Sequence, residues 1–216
     1  MRYNTVHVLT VSRNVERQEQ VRREWAGWDI QFHYGYDYRD LNCPEPYNRQ
    51  FALACCWCGH HKIWGELADE KGWHLIIEDD AFPKPGIRQA IRMIQTEEHN
   101  FQIVKLYHYV EPSCEIYLPN GFQKQQLLDL KENAEYRKGN RDWVSTAAYL
   151  VRNTHRARRE ILFATPDLAV HLSTLNVGGI WPLVANVKGE SIIGLPDKYD
   201  TSPTNAGLAG DSGGSD

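Results

Sequence analysis

The stretch Trp73-His74-Leu75-Ile76-Ile77-Glu78-Asp79-Asp80-Ala81-Phe82-Pro83 constrains this chain more than any other. Bounded by Gly72 and Pro83, rich in branched residues and too short for a helix, it predicts a buried strand that ends on three consecutive carboxylates. Side chains alternate faces along an extended segment, so Glu78 and Asp80 are expected on one side and Asp79 on the other. Like charges crowded at such an end repel unless a cation neutralises them. Mg²⁺ and Mn²⁺ are natural candidates, because hard ions take carboxylate oxygen and leave positions for substrate phosphates. In open α/β sheets, ligands collect at the carboxyl ends of strands. The same acids could instead cap the next helix or lie in solvent, so the neighbouring sequence has to decide.

The flanking segments predict an α/β fold. Thr5-Val6-His7-Val8-Leu9-Thr10-Val11 alternates, is β-branched, and reads as a first strand. Val15 through Trp25 is mostly charged with apolar residues at Val15, Val21 and Trp25, a surface helix closed by Gly27. Between them lie Ser12 and Arg13, which offer a hydroxyl and a bidentate cation to a nucleotide; the alternative is a helix cap and a solvated charge. Trp28 to Gly35 reads as a second strand. Phe51 to Leu67 carries apolar residues at helical spacing and delivers the chain to the acidic strand. Ile87 to Ile94 reads as a helix, and Phe101 to Tyr107 and Trp143 to Val151 as strands. Glu111 to Arg141 reads as a polar excursion with at most one short helix.

With 216 residues, the chain is expected to form one domain over 1–196, followed by a flexible tail over 197–216 rich in Gly, Ser, Thr, Asn and Asp. Lys and Arg total 24 against 28 Asp and Glu, so no positive field draws in nucleic acid. No apolar run approaches the roughly 18 residues of a membrane helix, and the N-terminus carries no signal-like segment, so a cytoplasmic location is expected. Five cysteines, three of them at Cys55, Cys56 and Cys58, do not form a secreted disulfide pattern. Cys56 and His60 share a helical face, but no second ligand pair stands at zinc spacing, so packing explains these cysteines more cheaply.

Cys56, His60 and Trp64, followed by Leu75-Ile76-Ile77-Glu78-Asp79-Asp80, resemble the pattern of glycosyltransferase family 25. That pattern runs Gly-Cys-x-x-Ser-His-x-x-x-Trp, a spacer, then an apolar strand closing on Glu-Asp-Asp. The likeness extends from the first strand with Ser12 and Arg13 to near residue 194, and its Gly-Thr-x-x-Tyr block implies a helix over Thr154 to Phe163 after the strand that ends at Val151. Cys55 stands where the family has Gly, Gly59 where it has Ser, and Gln102 where it has Asp. The resemblance implies a single-domain GT-A-like (Rossmann-like) nucleotide-sugar transferase fold with a mostly parallel central sheet. It also implies transfer of a hexose, most plausibly galactose, from a UDP-sugar to a hydroxyl on a glycan, a lipid-linked glycan or a protein, with inversion. In that reading Asp80 and Glu78 hold Mn²⁺ or Mg²⁺, and Ser12, Arg13, His60 and Glu78 meet the donor. Asp167 is the catalytic base with Asp79 in reserve, and Trp64 or Tyr149 positions the sugar. Two rivals stay open: an inactive carbohydrate-binding or assembly protein on the same fold, and a metal-dependent phosphohydrolase or nucleotidyltransferase.

Overall fold

The computed structural model describes residues 5–37, 48–107, 126–129, 146–161, 174–181 and 183–187. The β-branched first segment forms β1 (Thr5–Thr10), and the charged segment after it forms α1 (Val15–Glu24). Next come β2 (Asp29–Tyr34), α2 (Asn48–Glu66) and the acidic strand β3 (Trp73–Glu78). A short β4 (Ala81–Pro83) leads into α3 (Ile87–Thr96), then β5 (Ile103–Lys105) and β6 (Gln126–Asp129). The chain continues through β7 (Ala148–Arg152), α4 (Thr154–Glu160), β8 (Val177–Trp181) and β9 (Ala185–Val187).

Seven strands form the main sheet in the order β2-β1-β3-β7-β5-β8-β6, and β4 pairs with β9 in a separate ribbon. On one side β1 pairs in parallel with β2 and β3, with Leu9 opposite Glu78. Strand β7 then runs antiparallel to both β3 and β5. Beyond it β5 and β8 are parallel, and β6 is antiparallel to β8. The expected α/β class stands, but the sheet is mixed rather than mostly parallel. Apolar pattern identifies a strand without its direction, and β7 and β6 each follow segments outside the described residues. Within the polar excursion, 126–129 is a strand, not a helix.

Alternation along β1 and β3 sorts the core into two layers. Val6, Val8, Leu75 and Ile77 face α1 and α3, meeting Val21, Trp25, Ile91 and Ile94. Leu9 and Ile76 face the other way, against Ile63, Trp64 and Leu67 of α2, Ala157 of α4, and Tyr149 of β7. Each fully buried aliphatic side chain contributes roughly 1.5–3 kcal/mol, so the central strands are held from both faces. Their carboxyl ends are thereby fixed relative to the first turns of the helices.

Gly59 occupies the α2 face that meets β1. A Cβ there would lie 2.6 Å from Leu9 Cδ1 and 2.9 Å from Cδ2, closer than carbon atoms pack. Leu9 therefore explains why this chain has glycine where the family pattern has serine. The sign of a Gly59→Ala effect depends on Leu9. In the wild type the overlap costs about 1–3 kcal/mol, against about 1 kcal/mol gained in helix propensity, so stability falls. With Leu9→Ala in the background the overlap is gone and the same change stabilises. Urea unfolding of the double-mutant cycle checks this, and a change of the same sign in both backgrounds would contradict it.

Candidate active site

The carboxyl ends of β1, β2 and β3 and the amino end of antiparallel β7 meet at one edge of the sheet. A cleft of about 100 Å³ opens there, bordered by Arg17, Asp37, Cys56, Glu78, Asp79 and Asp80. The space suits an ion with its water or a phosphate group. Three adjacent carboxylates share it, and each has a different environment.

Glu78, the last residue of β3, turns toward α2. Its amide donates to the Ala147 carbonyl at 2.8 Å, which locks the strand end against β7. Thr146 Oγ1 donates to Glu78 Oε1 at 2.7 Å, and His60 Nε2 lies 3.3 Å from the same oxygen. Burial alone would raise the Glu78 pKa, but the hydrogen bond from His60, with that from Thr146, holds it below the usual carboxylate range.

The protons around His60 follow from its partners. Indole Nε1–H of Trp64 donates to the Tyr149 hydroxyl at 3.0 Å, and the same hydroxyl lies 2.9 Å from His60 Nδ1. Burial raises Tyr149 well above its ordinary pKa, so its proton stays and needs an acceptor. Among the described residues that acceptor is His60 Nδ1, which places the imidazole proton on Nε2, facing Glu78. A chain of donors thus runs from Trp64 through Tyr149 and His60 to Glu78. Cys56 Sγ, His60 and Glu78 come within 4.8 Å of one another, a third ligand that spacing alone did not supply. The donor chain occupies His60 Nε2 with a proton, which argues against metal at that cluster.

Asp79 turns to the opposite face, as the alternation predicts, and is 4% exposed. Its Oδ2 accepts from Thr10 Oγ1 at 2.6 Å and Asn14 Nδ2 at 3.2 Å, and its Oδ1 accepts from Arg17 Nη1 at 3.1 Å. Arg17 is a cation the sequence reading did not assign. It sits on a charged surface helix, where nothing in the pattern separates it from Arg22 or Arg23. Asp79, with both oxygens engaged, braces the β1 loop and α1 against β3.

Asp80 is left over. Its Oδ1 is buried with no hydrogen-bond partner among the described residues, and Arg17 comes only within 3.9 Å of its Oδ2. Burial and the neighbouring Glu78 and Asp79 push its pKa up to about 7, with Arg17 opposing.

No protein-family model and no curated protein matches the chain. The remaining site residues are therefore placed by geometry. Ser12 and Arg13 are exposed in the loop after β1, and Arg13 pairs with Asp37, which borders the cleft. Asn14, not Ser12, precedes the first turn of α1. Trp64 and Tyr149 are fully buried in the α2 core and offer no face to a sugar; they support His60 instead. Gln102 has a structural task where the family pattern has Asp: its Oε1 accepts from the Asn176 amide at 2.7 Å. Asp167 lies outside the described residues, as do Ser145, Pro166 and the tail.

Replacing Tyr149 by Phe strands the Trp64 indole N–H and the His60 Nδ1 lone pair. We expect a loss of about 1–3 kcal/mol in urea unfolding. In the wild type, long-range ¹H–¹⁵N spectra should show His60 as the Nε2–H tautomer. A neutral stability change, or a proton on Nδ1, would contradict the donor chain.

Proposed function

We propose that this chain is a metal-dependent glycosyltransferase that moves a hexose, most plausibly galactose, from a UDP-sugar to a hydroxyl acceptor. The observation that carries the reading is the Oδ1 of Asp80 at the carboxyl end of β3, buried and without a hydrogen-bond partner among the described residues. It sits beside two carboxylates that already have partners within the chain. Such an oxygen is costly to bury unless something occupies it, and a hard cation suits a set of carboxylate oxygens. The Glu-Asp-Asp strand end and its spacing from His60 supply the substrate class through their resemblance to family 25.

Asp80 would hold Mn²⁺ or Mg²⁺, with Glu78 beside it. When bound, such an ion stabilises the negative charge of a departing diphosphate. The residues of the chain prepare that place. His60 and Thr146 keep Glu78 ionised and aimed; Thr10, Asn14 and Arg17 hold Asp79 so that β3, the β1 loop and α1 move as one piece. Arg17 also brings a positive charge to the cleft, where an anionic donor would dock. Ser12 and Arg13 stand in the loop after β1 for the nucleotide. In this reading Asp167 takes the proton of the incoming hydroxyl, Asp79 being fully engaged in hydrogen bonds. The acceptor is a glycan, a lipid-linked glycan or a protein hydroxyl. No helix among the described residues is long and apolar enough to cross a membrane.

Calorimetric titration with UDP and UDP-galactose, each with Mn²⁺ and with excess chelator, tests the proposal. Binding should require metal and disappear in Asp80→Asn, and the transfer rate of that variant should fall by about 10²-fold or more. Binding indifferent to chelator and to Asp80→Asn would reject the metal role. Metal-dependent hydrolysis of the nucleotide sugar with no acceptor would favour a phosphohydrolase.

A further inference from the structure

A second cluster lies under α2, on the same three strands. His33 of β2, His7 of β1 and His74 of β3 are all buried, at 6%, 4% and 6% exposure. His33 Nδ1 lies 2.5 Å from Glu66 Oε2, and His33 Nε2 lies 3.0 Å from His7 Nδ1. The Glu66 carboxylate can only accept, so His33 Nδ1 carries a proton; with neutral rings, His33 Nε2 accepts from His7 Nδ1–H. That leaves a lone pair on His7 Nε2. His74 donates to the backbone carbonyl of Glu70, while its Nε2 is buried with no partner among the described residues. It therefore presents a second lone pair.

Both histidines line one cavity of about 340 Å³. Their ring centroids are 5.8 Å apart. Two imidazoles sharing one tetrahedral ion have centroids roughly 5–6 Å apart, since each nitrogen sits about 2.0–2.1 Å from the metal. In each ring the other nitrogen donates, to a carboxylate relay for His7 and to a backbone carbonyl for His74, the arrangement that orients metal-binding histidines. We propose that Nε2 of His7 and Nε2 of His74 bind one borderline divalent transition ion, such as Zn²⁺ or Co²⁺, in a site separate from the carboxylate cleft. Water fills its remaining positions. Asp29 and Glu70 line the same cavity, against one cation, Lys71. The imidazole donor set separates this ion from the hard ion suited to Asp80.

The experiment is Co²⁺ and Zn²⁺ titration of the untagged, chelator-stripped full chain, followed by calorimetry, cobalt absorption and imidazole ¹⁵N spectra. One ion should bind, shift the Nε2 resonances of His7 and His74, show no thiolate-to-cobalt band, and persist in Asp80→Asn. Affinity should fall tenfold or more in His7→Gln and in His74→Gln. Glu66 is partly exposed, so Glu66→Gln should fold, and it should weaken binding by about ten- to hundredfold through the relay. The inference is overturned if the wild-type Nε2 resonances do not move, if Glu66→Gln binds as the wild type does, or if Cys56→Ser or Asp80→Asn removes the ion. Failure of UDP binding in the cleft leaves these readouts unchanged, so the two proposals stand or fall separately.

Discussion

Repulsion among three consecutive carboxylates at the end of one buried strand is the constraint on which the site depends. The chain resolves it by division. Strand alternation sends Glu78 to the α2 face and Asp79 to the α1 face, and each finds its own donors there. Asp79 meets Arg17, Thr10 and Asn14, which ties α1 and the loop after β1 to the acidic strand. Glu78 meets His60 and Thr146, which ties in α2 and the start of β7. One electrostatic problem thus fixes four elements around a single cleft. Among the described residues, the carboxylate left without a partner on one oxygen is Asp80.

The deeper layers serve the same arrangement. Trp64 and Tyr149 are core residues by burial, but their polar atoms form the donor chain that orients His60. Leu9 fills the space opened by Gly59, so α2 lies close to β1 and His60 comes within reach of β3. Such buried polar chains are costly when incomplete, because an unpartnered donor in the core loses its water without replacement. The same reasoning marks the His74 nitrogen near the amino end of β3.

Much of this fold was legible from local pattern. β1, β3 and the helices α1 to α3 follow from branched runs, apolar spacing and glycine or proline boundaries, and the split of Glu78 from Asp79 follows from period alone. Other features were not. The direction of β7 depends on a crossover whose course local pattern does not encode, so the sheet is mixed. Arg17 looked like any charge on a solvated helix, because its value lies in a partner 62 residues away. Trp64 and Tyr149 were expected at a sugar because aromatic residues near acids suggest stacking, whereas the α2 core encloses both. His7, His33 and His74 sit in three separate strands, and only the strand order makes them neighbours.

The most direct test of this division is anomalous scattering from crystals grown with Mn²⁺ and UDP. The account predicts a manganese peak beside Asp80 Oδ1, with Arg17 still paired to Asp79 and His60 still facing Glu78. A peak bridging Asp79 with the Arg17 pair broken, or no peak at the end of β3 in crystals that contain UDP, would contradict it.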